Sequence, residues 1–143
     1  KSDFKNEIVQ WGYLPDRSEY INALGRADVI VSTANHEFFG IAALEGIAAG
    51  LLPVLPRRLA YPEIISSLLV FETDKQDFFY DGSVNGLAEK LKQLAIRKKE
   101  NKLWQIDTTK IIDAIPKYYW PRLGKNYDGK LEGSTKHHVR AFR

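Results

Sequence analysis

The chain has 143 residues, 44% of them apolar and 27% charged, with a net charge of +3, the proportions of one globular domain large enough for a core of its own. It has no cysteine, which excludes disulfides, thiol catalysis and thiolate metal sites and fits a cytoplasmic location. No apolar run approaches the roughly 20 residues that span a bilayer, so no membrane partner is expected. The opening KSDFKNE is polar rather than leader-like. Methionine is missing even at position 1, and the chain is expected to be an excerpt of a longer protein.

Taken in order, EIVQWGYL (7–14) reads as a short strand ending in a glycine-containing turn, with Trp11 in the core. PDRSEYINALGRA (15–27) has helical spacing, with Tyr20, Ile21 and Leu24 on one face and Asp16 or Ser18 as the cap. DVIVSTA (28–34) is a β-branched run of the kind buried on both faces of a parallel sheet. The segment NHEFFGIAALEGIAAG (35–50) follows as a loop and then a helix, ended by Gly50. LLPVLP (51–56) is a second apolar strand. YPEIISS (61–67) starts a helix with proline in its first turn, where Tyr61 and Glu63 are expected to serve as caps rather than to line a site. LLVFE (68–72) reads as a third strand. VNGLAEKLKQLAIRKK (84–99) is an amphipathic helix carrying Leu87, Leu91 and Leu94 on one stripe. A last helix is expected around Thr108–Trp120, packed by Trp104, Tyr118, Tyr119 and Trp120.

Strands alternating with helices through short loops indicate an α/β domain with a doubly wound parallel sheet, Rossmann-like and three-layered. Such sheets bind ligands at the carboxyl ends of their strands, where the loop STANHEFFG falls. The domain is expected over 1–132. Residues 133–143 form a basic tail, expected to be flexible: from Lys117 onward, seven Lys and Arg face only Asp128 and Glu132. That tail reads either as a solvated terminus or as a contact for a phosphate backbone.

Segment 35–50 sets two glutamates eight positions apart in a run otherwise suited to burial. An unpaired buried carboxylate is costly, so Glu45 must be exposed or partnered. Gly40 would let a ligand approach the backbone closely. The amides of Phe39, Gly40, Ile41 and Ala42 would then point from the helix end, an arrangement that binds anions and phosphate above all. Glu37 can turn across that mouth, and Glu45 can accept two hydroxyl hydrogens from a vicinal diol such as ribose. Together these features describe a nucleotide-sugar site. The other reading makes Glu37 a loop charge and pairs Glu45 with Arg57 or Arg58.

The wording EFFGIAALEGIAAGLLPV, with its Glu-(seven residues)-Glu spacing, resembles the signature of retaining GT-B glycosyltransferases of family 4. YINALGRADVIVS resembles the helix and strand that precede it there. STANHEFFG, LPRRLAYPEII and YWPRL are similar to the branch that contains tRNA-queuosine α-mannosyltransferase. The resemblance is good over residues 7–72 and weaker over 118–130. It implies one half of a GT-B fold, namely part of the C-terminal, donor-binding domain. It also implies transfer of a hexose, with mannose from GDP-mannose as the expected donor and queuosine in tRNA as an acceptor.

On that likeness Glu37 would meet the donor sugar and Glu45 the ribose, while the backbone of Phe39, Gly40 and Ile41 would contact the diphosphate. His36 would touch sugar or phosphate, or else fix the loop. Gly12, Tyr13 and Tyr61 are candidates for the base or the pocket wall. No metal or cofactor beyond the nucleotide sugar is expected. The family's first Rossmann-like domain, and the Arg and Lys that neutralise the diphosphate, find no match here. This chain alone is therefore expected to be inactive and to need that N-terminal domain as partner. The alternative is a non-catalytic nucleotide-binding or interaction domain of the same fold.

Overall fold

The computed structural model describes residues 4, 6–69 and 77–118. In chain order these form α1 (Arg17–Gly25), β1 (Val29–Val31), α2 (Ile41–Ala48), β2 (Leu52–Pro56), α3 (Tyr61–Leu68), β3 (Phe79–Tyr80), α4 (Val84–Lys99) and α5 (Thr108–Ala114), with a 3-10 turn over Ile115–Tyr118. The strands make one parallel sheet in the order β1-β2-β3, so the α/β class with a Rossmann-like parallel sheet is as the sequence indicates. Both crossovers step in the same direction, which for right-handed connections puts α2 and α3 on one face. α5 touches both of them.

β2 is the centre, and every one of its residues is buried. It carries Pro53 and Pro56, residues that ordinarily disqualify a central strand because they cannot donate to the ladder. Backbone N–H groups along a strand point alternately to either side. Leu52 N–H bonds Asp28 O on the β1 side at 2.9 Å, and Leu55 N–H bonds Phe78 O on the β3 side at 2.9 Å. Pro53 therefore faces the β3 side before pairing with β3 begins at Leu55. Pro56 faces the β1 side, where its missing N–H would have met Ser32 O; the Tyr80 hydroxyl donates to that carbonyl instead, at 3.0 Å. Neither proline leaves a broken rung.

α2 lies against β1 and β2, burying Ala43, Leu44, Gly46 and Ile47. Its end is set by Gly50, whose φ of +89° is open to glycine without strain. The Gly50 N–H bonds Ile47 O at 2.9 Å and the Leu51 N–H bonds Gly46 O at 3.0 Å, the paired closing bonds of a glycine-terminated helix. α4 has the predicted bounds, with Ser83 Oγ accepting from Gly86 N–H at its start and Arg97, Lys98 and Lys99 in its last turn. Of its leucine stripe, Leu94 is buried and Leu91 is exposed. Trp104 packs on Phe78, ring centroids 6.1 Å apart.

Several expectations are corrected. Residues 7–14 are not a strand. The N–H groups of Glu7 and Ile8 turn back to Phe4 O, and Gly12 takes φ +93°, so the local backbone is bent rather than extended. Trp11 is 66% exposed instead of core. α1 has the predicted position and is capped by Asp16, but it buries no residue, and Ile21 faces out. β1 is shorter than expected and half-buried, because among the described residues it pairs with β2 alone. The strand expected over 68–72 begins inside α3, which ends at Leu68 with Leu69 as its cap; residues 70–72 lie outside the described ones. The third strand is β3, which the sequence did not announce. Trp120, Tyr119 and the tail 133–143 also lie outside the described residues. Among the described residues no helix is long and apolar enough to cross a membrane.

Candidate functional site

The loop 32–40 leaves the carboxyl end of β1 and turns into α2. Its shape is set by Glu37, whose Oε1 accepts from three successive backbone amides: Phe38 at 3.0 Å, Phe39 at 3.2 Å and Gly40 at 2.9 Å. The amide of Gly40, then those of Phe39 and Phe38, with a smaller part from the Tyr61 hydroxyl, hold the Glu37 carboxyl below its ordinary range against a modest opposing effect of burial. This corrects one expectation. The amides of Phe39 and Gly40 are not open to a ligand here, because Glu37 already takes them. The open end of α2 is instead presented by the next amides, those of Ile41 and Ala42.

Gly40 joins loop to helix at φ +62°. It is pressed from below by α3: a Cβ at this position would lie 2.5 Å from Ile64 Cδ1 and 3.4 Å from the Tyr61 ring. Tyr61 is the first residue of α3 rather than a cap, and it is buried. Its hydroxyl meets Ser32 Oγ at 2.6 Å. Glu63, in the first turn of α3, makes no capping bond. Arg58, from the loop after β2, donates to Ala34 O at 3.2 Å and Asn35 Oδ1 at 2.8 Å. It also lies under Gly82 after β3, tying together the carboxyl ends of all three strands. His36, Phe38, Phe39 and Ile41 are exposed around the mouth.

Glu45 is half-buried and is partnered by neither Arg57 nor Arg58. Its Oε1 accepts from Arg17 at 3.0 Å and its Oε2 from the Tyr20 hydroxyl at 2.8 Å. Arg57 pairs with Asp77 at 3.4 Å and stacks over Phe79 at 4.8 Å. Arg17 and Tyr20 also line a cavity of about 570 Å³ with Gly12, Tyr13, Leu14 and Pro15. The structure thus brings Gly12 and Tyr13 to the same cavity as the partners of Glu45, and sets Glu37, Gly40 and Tyr61 around the N-terminal end of α2. Sequence reasoning missed Arg17, Tyr20, Ser32 and Tyr80. Arg17, Tyr20 and Tyr80 stand far from the glutamates in the chain and only the fold makes them neighbours, whereas Ser32 lies in the same loop as Glu37.

Residues 2–109 match the family described as glycosyl transferases group 1. The chain belongs to the group 1 glycosyltransferases. It is 31% identical over 121 residues to a tRNA-queuosine alpha-mannosyltransferase of Drosophila melanogaster, covering 79% of this chain and 29% of that protein. It is 41% identical over 56 residues to a GDP-mannose-dependent alpha-(1-6)-phosphatidylinositol dimannoside mannosyltransferase of Mycobacterium tuberculosis, covering 39% of this chain and 15% of that one. The chain therefore spans under a third of the length of these curated relatives. No solved structure was found to match it. For a glycosyltransferase domain the geometry is apt. Two carboxylates and an open helix end lie beside a parallel sheet whose carboxyl-end loops Arg58 ties together, and a cavity against α1 adjoins Glu45 through Arg17 and Tyr20.

One pH dependence follows from this geometry. The native pKa of Glu37 lies below its unfolded value, so its contribution to stability is full above the ordinary glutamate range and is lost as pH falls through the native value. Asp16, Asp81 and Asp107, each lowered by hydrogen bonds from nearby serine or threonine groups, act in the same acid window. The difference between wild type and Glu37→Gln isolates the loop. The two urea midpoints are expected to differ most near neutral pH and to converge as pH is lowered beneath the ordinary glutamate range.

Proposed function

We propose that this chain is the donor-binding, C-terminal part of a retaining GT-B glycosyltransferase of family 4. In this reading it holds GDP-mannose in the cytoplasm while the rest of the protein presents an acceptor such as queuosine in tRNA. The observation that carries the reading is the pair formed by Glu37, in the loop that enters α2, and Glu45, in the middle of that short helix, inside a group 1 glycosyltransferase domain. The names of both relatives quoted above, mannosyltransferases in each case, support the sugar, and one of them supports GDP.

The donor lies along α2 in this proposal. Glu45 exchanges its bonds to Arg17 and Tyr20 for the ribose hydroxyls, and the base enters the cavity beside Gly12 and Tyr13. The diphosphate meets the open amides of Ile41 and Ala42, with His36 at the mouth. As the bond between the anomeric carbon and the diphosphate oxygen breaks, negative charge grows on the leaving group. A helix N-terminus fixed in place stabilises that charge without having to reorganise. Glu37 orients the hexose; its own geometry is fixed beforehand, so its contribution is positioning.

Titrating the chain with GDP, UDP and ADP tests the reading. GDP is expected to bind at least tenfold more tightly than the other two. Equal affinity for all three would remove the GDP assignment. One observation favours a second reading, a non-catalytic module: both oxygens of Glu45 are already taken by the protein's own donors. Under that reading none of the three nucleotides binds, even when the whole parent protein is titrated.

A further inference from the structure

The chain leaves β2 through a turn that sends its two arginines apart. The Arg57 N–H bonds Tyr80 O at 3.0 Å, and the Arg58 N–H bonds back to Pro56 O at 2.7 Å. Arg57 then reaches Asp77 and lies over the Phe79 ring. Arg58 reaches the other way, to the loop after β1, where its Nη2 donates to Ala34 O at 3.2 Å and to Asn35 Oδ1 at 2.8 Å. On its far side, a Cβ at Gly82 would lie 3.3 Å from Nη1. Both acceptors are neutral, and among the described residues no carboxylate pairs with Arg58. The next residue, Leu59, takes φ +61°. That left-handed backbone is unfavourable for a residue with a side chain and is kept only where the surroundings enforce it.

The three amide bonds to Glu37 Oε1 lie within residues 37–40, so they fix the shape of the turn but not its place on the sheet. On the helix side that place is set by Ile64 and Tyr61 beneath Gly40. On the strand side Ser32 is anchored by Tyr61 and Tyr80. Between Ser32 and Glu37, among the described residues, the bonds that reach the loop from another element are those of Arg58. We propose that Arg58 is a positioning residue for Glu37: its guanidinium ties the loop to the end of β2 and so fixes where the carboxylate meets the donor sugar. Arginine suits the task, because its bonds are charge-assisted and it keeps its proton at every working pH. The inference rests on the reading of Glu37 as the sugar-facing carboxylate.

The test uses the full 143-residue chain as wild type, Arg58→Gln, Asn35→Ala and the double variant. Without ligand, the amide heteronuclear NOEs of residues 34–37 are expected to fall in each variant as the loop loosens. GDP-mannose affinity is expected to fall about 3- to 10-fold in Arg58→Gln, and by less in Asn35→Ala, which keeps the bond to Ala34 O. The double variant should lose less than the two single losses multiplied, since both remove parts of one tie. GDP affinity is expected to hold throughout. Unchanged NOEs overturn the proposal, as does an unchanged GDP-mannose affinity in a variant whose NOEs have fallen. An equal loss of GDP affinity in Arg58→Gln also overturns it, because the guanidinium would then be meeting the diphosphate. If Arg58→Gln fails to fold, Asn35→Ala decides by the same criteria. Failure of wild type to bind GDP-mannose would sink the donor reading instead, and the NOEs would then decide the tie alone.

Discussion

Gly40→Ala is expected to destabilise the domain by roughly 2–5 kcal/mol, read as a fall in the urea midpoint with little change in slope. Two separate costs add. At φ +62° a side chain bears the left-handed backbone penalty, about 1–2 kcal/mol. The new methyl would also sit 2.5 Å from Ile64 Cδ1, and relieving such overpacking in a buried setting costs roughly 1–3 kcal/mol. Ile64 is itself buried and has little room to withdraw. A control separates the two costs: pairing Gly40→Ala with Ile64→Val should recover part of the packing loss and none of the backbone loss. A midpoint within error of wild type would mean that the junction of loop and helix is not built as described.

Glu45→Ala should do the opposite, sparing the fold and removing the ligand. Arg17 is 72% exposed and Glu45 29% exposed at their ion pair, and exposed pairs contribute only about 0–1 kcal/mol. α1 buries nothing, so releasing it exposes no core. Stability is therefore expected to change by less than about 1 kcal/mol. Nucleotide affinity, by contrast, should fall roughly 10- to 100-fold, since two hydroxyls lose a charged acceptor. Calorimetric titration with GDP, run beside urea unfolding of the same samples, checks both halves. A variant that binds GDP as wild type does would return Glu45 to a structural role, the anchor of α1 through Arg17 and Tyr20.

The parts of this domain that could be read from sequence are those fixed by neighbours in the chain. α2 ends where Gly50 permits the turn, α4 starts at the Ser83 cap, and the apolar run Leu52–Pro56 is buried on every side. Even its prolines fit once the side each N–H faces is known. β3 was invisible because Phe79–Tyr80 is two residues long and follows the polar run DKQD; only its pairing with β2 makes it a strand. Residues 7–14 erred in the other direction. Their alternating pattern suits a strand, but a strand also needs a neighbouring ladder, and in the described structure this segment has none.

The site divides along the same line. Glu37 acts on residues within three positions and Gly40 sets the backbone at the helix start, so these roles could be anticipated in kind, unlike the press of Ile64 and Tyr61 on Gly40. The detail that Glu37 consumes the amides of its own loop could not, because it depends on a rotamer. Glu45 found its partners 28 and 25 residues upstream. Nothing in spacing favours Arg17 over Arg57 or Arg58, and only the three-dimensional placement of α1, whose Arg17 and Tyr20 reach Glu45, decides it. Tyr61 is the sharpest case. At a helix start preceding proline it reads as a cap, whereas burial under Gly40 makes it the floor of the site.

In the proposed function a nucleotide lies along α2 between Glu37 and Glu45. Backbone amide shifts recorded during addition of GDP to the 143-residue chain test it most directly. The predicted result is a saturable perturbation centred on residues 36–45, extending to Gly12, Tyr13, Arg17 and Tyr20, and lost in Glu45→Ala. A saturable perturbation centred elsewhere, with residues 36–45 unmoved, would contradict it.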